Sequence, residues 1–140
     1  MTSFIQGGAS SGSGFNPRGR GYPDVALIGV GYQVVVQGQF YNMYGTSAST
    51  PVLAGMVTLV NLQRARRGKG PVGFLNPTLY AARNAARLDD VTSGSPNNCC
   101  SSMQASAAIC CQHGFDAREG WDPLTGLGTV SYPALLDMFL

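Results

Sequence analysis

The sequence predicts an α/β fold, and three observations carry that prediction. Gly31–Gln37 and Gln39–Met43 are short runs rich in Val and aromatic residues, the composition of β-strands. Pro51–Arg66 has no internal break except Gly55, and Val52, Leu53, Ala54, Met56, Val57, Leu59 and Val60 cover more than one helical face. Such a helix is predicted to lie buried in a larger body. Asn76, followed by Pro77, and Ser131, ahead of Pro133, are helix-start signals that place two further helices downstream.

In chain order, residues 1–14 form a lead-in of their own, and Gly7–Gly21 is Gly/Ser/Arg-rich, with little to bury, so it reads as flexible. Tyr22-Pro23-Asp24 opens an ordered segment in which Val25–Gly29 reads as a short buried strand. The two Val/aromatic strands lead into Tyr44-Gly45-Thr46-Ser47-Ala48-Ser49-Thr50-Pro51. Ser49 or Thr50 is the expected N-cap and Pro51 the expected first helical residue, which leaves Ser47 just outside the helix. The helix should end near Gly68. Arg64, Arg66, Arg67 and Lys69 then complement its dipole as a solvated basic end. A second helix is expected from the Asn76 cap to about Ala86, with Leu79, Tyr80 and Ala82 inward and Arg83 and Arg87 in water. Asp89–Gly94 is turn-rich and Gly120–Gly128 is a tight, glycine-punctuated loop. Ser131 caps a last helix that carries Leu135, Leu136, Met138 and Phe139. No internal repeat is visible.

Composition narrows the function classes. Hydrophobic residues make up 44% of the 140 and charged residues 11%, a globular and not a disordered balance. A net charge of +2 is too small to predict nucleic acid or an acidic membrane surface as partner. The apolar run from Val52 is about half the length a bilayer crossing needs, so no membrane span is expected. Residues 1–14 show no basic n-region, apolar h-region or small-residue cleavage site, and read as no secretory signal.

The four cysteines stand as two vicinal pairs, Cys99-Cys100 and Cys110-Cys111. Zinc ligation favours Cys-x-x-Cys spacing, which is absent. Disulfides between the pairs would staple Pro96–His113 and imply an oxidising compartment. Three connectivities are open, the one joining adjacent cysteines being strained.

A serine at a strand-to-helix junction faces free backbone N–H groups and the positive end of the helix dipole, which can stabilise an oxyanion. A cluster of hydroxyl residues there also serves as a capping cluster. Residue identities favour the chemical reading. Gly45-Thr46-Ser47-Ala48-Ser49-Thr50-Pro51 closely resembles the nucleophile motif of the sedolisins, the serine-carboxyl peptidases, and is more distantly similar to the Gly-Thr-Ser motif of subtilisins. Phe15-Asn16 through Gly21–Ala26, Gly73–Pro77, Asp90–Gly94 and Gly120–Thr129 also resemble sedolisin segments, in the family's order, so that the resemblance covers residues 15–140. Its tripeptidyl-peptidase branch is the nearest. The resemblance implies a partial subtilisin-like fold, a parallel sheet with packed helices. It also implies Ser47 as catalytic serine, a peptide or protein substrate, acid-active peptidase chemistry, and a lysosomal or secreted setting.

A serine hydroxyl needs a base. In sedolisins this is a Glu oriented by an Asp one helical turn away, with a further Asp at the oxyanion, all upstream of the serine. Here Asp24 is the only acid before Ser47, and Glu119 is the only glutamate. The resemblance therefore implies the C-terminal part of a catalytic domain whose N-terminal, acid–base half is missing from these residues. A non-catalytic Ca²⁺-binding segment is the alternative from another class. An α/β-hydrolase order of Ser47, Asp89 or Asp90, and His113 is a further alternative, but Ser49 stands where Gly-x-Ser-x-Gly requires its second glycine. The resemblance also implies one Ca²⁺ ion, held by the carboxylates of Asp90 and Asp122 and the carbonyls of Val91, Arg118 and Gly120. An oxygen-only set of this kind suits that hard cation. The family usually has Gly at the position of Arg118, so a carbonyl ligand there requires a backbone without positive φ. Without the resemblance, Asp90 and Asp122 read as turn residues.

Overall fold

The computed structural model describes residues 15–16, 18–94, 99–101, 108–110 and 114–140. The 1–14 lead-in, Cys111 and His113 lie outside the described residues, and the other three cysteines are described in their backbone alone. The chain divides into two compact units. One comprises Met1–Val25 and Asp89–Thr129, the other Ala26–Leu88 and Val130–Leu140.

The second unit begins with a hairpin. Strand β1 (Tyr32–Val36) pairs antiparallel with β2 (Gln39–Met43) in the register Tyr32↔Met43, Val34↔Tyr41, Val36↔Gln39. Gln37 and Gly38 form the connection at φ 51° and 77°, the positive-φ pair that a type I′ turn uses to match strand twist. Both faces of the ribbon carry exposed apolar side chains, Tyr41 on one and Val35 and Phe40 on the other, with Phe40 76% exposed. The segment Val25–Gly29 does not form the expected strand; only Ala26 makes a bridge. Its backbone serves local contacts instead. Ile28 O accepts from the Tyr32 hydroxyl at 2.7 Å, and Gly29 O accepts from Gly45 N at 2.6 Å.

Helix α1 runs Thr46–Arg66 and starts earlier than the sequence suggests. Gly45, at φ 107° and ψ 171°, ends the strand and is itself the N-cap, with no side chain in that role. Neither Ser49 nor Thr50 caps the helix, and Pro51 lies inside it. A proline there has no N–H to give the carbonyl four residues back, that of Ser47. The C-terminus closes as a Schellman motif, with Lys69 N donating to Arg64 O at 2.9 Å, Gly68 N to Ala65 O at 3.0 Å, and Gly68 at φ 69°. Only Val60 of α1 is fully buried, and Leu59 and Leu62 remain about half exposed.

Helix α2 is a single turn, Asn76–Leu79, capped by Leu75, and the chain continues as a 3-10 turn over Ala82–Arg87. The expected helix to Ala86 is interrupted after Leu79: Thr78 O accepts from Ala81 N at 3.2 Å and from the buried Asn84 carboxamide at 2.7 Å, where a continuous helix would pair it with the N–H of residue 82. Helix α3 (Tyr132–Phe139) has Ser131 as its N-cap, accepting from Ala134 N at 3.3 Å. Among the described side chains of this unit, Val60, Leu79, Leu88, Val130, Leu135 and Phe139 are the buried apolar ones, where α1 packs on α3. Around them Arg64 donates to Phe139 O, Lys69 to Leu140 O, and Arg87 pairs with Asp137. Among the described residues no helix is long and apolar enough to cross a membrane.

The first unit holds β3 (Cys99–Ser101) antiparallel to β4 (Ala108–Cys110), with Cys99 opposite Cys110. Its other described residues are loop held by backbone bridges. Asp89 and Thr129 exchange both N–H···O bonds at 3.0 and 2.8 Å, and Asp122 and Gly126 do so at 3.1 and 2.9 Å. Trp121 is buried, its indole N–H donating to Pro23 O at 3.1 Å, and Phe15 meets Phe115 edge-on at 5.8 Å. Two glycines set how closely these strands of loop approach. A Cβ on Gly126 would fall 2.5 Å from the Asp24 carbonyl, and one on Gly128 would fall 2.3 Å from Asp89 O.

Candidate active site

Ser47 is the second residue of α1, exposed, and one residue beyond the Gly45–Thr46 turn. The turn needs glycine because φ 107° lies outside what an L side chain adopts without strain. Gly45 O takes the N–H groups of Ala48 at 3.0 Å and Ser49 at 3.4 Å, which are the first closed bonds of the helix. Among the described residues nothing accepts from Ser47 N–H and nothing bonds its hydroxyl. A first-turn N–H of this 21-residue helix has no intrahelical acceptor and lies at the positive end of the helix dipole. Ser49 differs. It is half-buried, and its hydroxyl lies 3.4 Å from Thr46 O, turned back onto the helix.

The unit that contains Ser47 holds one carboxylate and no histidine. That carboxylate, Asp137, accepts from Arg87 Nε. No base for Ser47 therefore arises within this unit. The alternative triad would take Asp89 or Asp90 and His113, all of the other unit, with His113 outside the described residues.

All five residues expected around a cation fall in the first unit, on the segments 90–91 and 118–122. Asp122 is fully buried. Its Oδ1 accepts from Leu124 N at 2.9 Å, Thr125 N at 2.7 Å and the Thr125 hydroxyl at 3.2 Å. Its Oδ2 accepts from Arg118 N at 2.9 Å, with the Thr125 hydroxyl 3.4 Å away. Asp90 is exposed, and its Oδ2 accepts from Gly120 N at 2.7 Å, which brings the two segments together. Arg118 is not among the positive-φ residues, so arginine stands there without backbone strain, whereas Gly120 at φ 80° uses the freedom of glycine. Oxygen donors on turned backbone are the ligand type that Ca²⁺ takes, and among the described residues no group of three or more His, Cys, Asp or Glu side chains gathers that could hold a metal ion. Sequence reasoning missed the Thr125 hydroxyl and the close approach at Gly126 and Gly128. The Asp122-x-x-Thr125 spacing, that of a side-chain-capped turn, was the available signal for the first.

Comparison with known proteins sorts these features into a class. No protein-family model matches the chain. The chain is 45% identical over 122 residues to tripeptidyl-peptidase SED1 of Arthroderma otae, a match covering 87% of this chain and 16% of that protein. It is 42% identical over 130 residues to aorsin of Aspergillus oryzae, covering 93% and 18%, and 44% identical over 127 residues to human tripeptidyl-peptidase 1, covering 90% and 21%. The chain belongs to the sedolisin family, as its motifs suggest. It spans about a fifth of the length of the curated relatives it matches.

Proposed function

We propose that this chain supplies the nucleophile and the calcium loops of a sedolisin-type serine peptidase. Its substrate would be a peptide or protein, cut at acid pH in a lysosomal or extracellular setting, and tripeptidyl-peptidases are among its relatives. The observation that carries the reading is Ser47, exposed, with its hydroxyl and its N–H both uncommitted at the start of α1. Ser47 Oγ attacks the peptide carbonyl carbon, Ser47 N–H holds the oxygen as it becomes an oxyanion, and the hydroxyl proton passes to a carboxylate. The glutamate base, its aspartate partner and the oxyanion aspartate have no counterpart in the sequence of the unit that holds Ser47, where Asp137 is the one acidic residue. We assign them to a further part of the same catalytic domain, which also contributes the parallel sheet of a subtilisin-like fold. The apolar ribbon and the half-exposed Leu59 and Leu62 of α1 support a covering partner of that kind.

One Ca²⁺ ion belongs to this reading, held by Asp90, Asp122 and the carbonyls of Val91, Arg118 and Gly120. When bound it supplies positive charge that offsets two carboxylates and cross-links the two segments. Binding to the native state alone stabilises by about 2.7 kcal/mol at a hundredfold excess over Kd.

Peptide hydrolysis by the 140 residues alone, and by a complete peptidase carrying them, tests the proposal. The chain alone should be inactive, and Ser47→Ala should abolish turnover by the complete enzyme. Turnover by the chain alone that disappears in both Ser47→Ala and His113→Ala would replace this reading with a Ser-Asp-His hydrolase.

A further inference from the structure

We infer that Tyr32 is a positioning residue for Ser47. Its hydroxyl fastens the segment whose next carbonyl holds the nucleophile turn, so it acts on the serine through the backbone. The inference rests on the nucleophile reading proposed above.

The turn that presents Ser47 is bounded by residues that cannot hold it by themselves. Gly29, Gly31 and Gly45 surround it, two of them at positive φ, 77° at Gly31 and 107° at Gly45. Glycine restricts φ and ψ least of all residues, so local preference fixes none of these bends. Packing adds little, since Ile28 and Val30 are 72% and 70% exposed. Hydrogen bonds do the fastening instead. Gly45 N donates to Gly29 O at 2.6 Å, which ties the residue two before Ser47 to the 28–31 segment. That acceptor is itself held from both directions. Upstream, the Tyr32 hydroxyl donates to Ile28 O at 2.7 Å and fixes the peptide that enters Gly29. Downstream, Tyr32 opens β1 and pairs with Met43, two residues before Gly45. Ile28, Gly29, Gly45, Met43 and Tyr32 thereby form a closed circuit, and its one side-chain link is the Tyr32 hydroxyl.

Gly45 O receives the N–H groups of Ala48 and Ser49, so the anchored glycine is also where α1 begins. A shift of Gly45 therefore moves Ser47 N–H and Ser47 Oγ together. Both atoms act on the reacting carbonyl, where a small misplacement lowers kcat and leaves binding elsewhere untouched. Tyr32→Phe deletes the hydroxyl and keeps the ring. Gly29→Ala is its counterpart: the added Cβ lies 3.5 Å from Gly45 O, an ordinary contact, and φ there is not left-handed. Alanine narrows the freedom of the segment and so takes over part of what the hydroxyl does.

Amide hydrogen exchange by NMR on the full chain, together with the kinetics of a complete peptidase carrying these residues, tests the assignment. Tyr32→Phe should speed exchange of Gly45 N–H about fivefold, the worth of one net hydrogen bond, and leave the amides paired between β1 and β2 unchanged. Adding Gly29→Ala should slow Gly45 exchange again, about threefold. In the peptidase, Tyr32→Phe should lower kcat about fivefold at constant KM. The pH profile should not move, because the base is unaltered, and Gly29→Ala should restore part of kcat. Unchanged Gly45 exchange or an unchanged kcat in Tyr32→Phe would overturn the inference and leave the nucleophile reading standing. So would faster exchange throughout the ribbon, which marks a merely structural hydroxyl, or a raised KM with kcat kept, which marks a substrate contact. If Ser47→Ala leaves the peptidase active, the nucleophile reading falls and the inference falls with it, whatever Gly45 exchange shows.

Discussion

Ser47 and Asp122 are both short polar side chains beside a glycine-dependent turn, and the protein treats them in opposite ways. Asp122 is fully buried and its two oxygens receive three backbone N–H groups and a hydroxyl. Ser47 is exposed, and among the described residues neither its hydroxyl nor its N–H has a partner. A polar group whose capacity is filled from within the chain contributes to folding. One that is held in place by the backbone yet left unfilled costs little to keep in water and is available to a ligand. Substitutions that change how many partners are lost should therefore order themselves along this contrast.

The largest effect is expected at the filled end. Asp122→Ala strands three part-buried N–H groups and a hydroxyl, each costing up to about 1–3 kcal/mol when unsatisfied. With partial relaxation the net loss should be about 4 kcal/mol, read as a fall in melting temperature of about 15 °C. A loss no larger than that of an ordinary surface substitution would break the contrast outright.

Next come the glycines that let the same loop close. Gly128→Ala places a Cβ 2.3 Å from Asp89 O at φ 96°, a backbone clash added to left-handed strain. About 3 kcal/mol should be lost. Gly73 also has positive φ, 68°, but nothing lies within 4 Å of its would-be Cβ, so Gly73→Ala should cost only about 1 kcal/mol of strain. Equal costs in parallel denaturant melts would show that conformation, not close approach, governs both.

Some of this was legible from sequence, and the reasons differ by element. Ser131 before Tyr132-Pro133 specifies a cap through purely local chemistry, and the structure has it. The same holds for β2, where side-chain composition and a glycine turn suffice. The start of α1 was misplaced because proline rules put Pro51 at the first turn, whereas Gly45 starts the helix five residues earlier and the proline is absorbed inside it. The break after Leu79 goes with bonds that no periodicity reveals, Ala81 N and the Asn84 carboxamide both donating to Thr78 O. At the candidate site, the motif singles out Ser47, and the structure places it exposed at the start of α1. The full burial of Asp122 was not, since Asp-Pro reads equally as an exposed turn; what buries it is the return of residues 124–126 over its carboxylate.

Ser131 offers an intermediate case. It is exposed like Ser47, but its oxygen is used once, by Ala134 N at 3.3 Å. Ser131→Ala should cost about 1 kcal/mol, the usual value of an N-cap, measured as a shift in denaturant midpoint at constant m-value.

The smallest stability effect and the largest chemical one should coincide at Ser47. Its side chain caps nothing, since Gly45 is the N-cap and no side chain serves that end of α1. It buries little, because the residue is exposed. Alanine also has the better helix propensity, so Ser47→Ala should change stability by less than about 0.5 kcal/mol and in either direction. Ser49→Ala is the matched control. It removes a half-buried hydroxyl that lies 3.4 Å from Thr46 O, and should cost slightly more stability while sparing chemistry. In a complete peptidase carrying these residues, the pair should therefore cross over. Ser47→Ala should be inactive with an unshifted melting curve, and Ser49→Ala active with a curve shifted slightly down. The reverse pattern, with Ser49→Ala inactive and Ser47→Ala silent, would move the nucleophile two residues along the helix and leave the unfilled N–H of Ser47 without a chemical purpose.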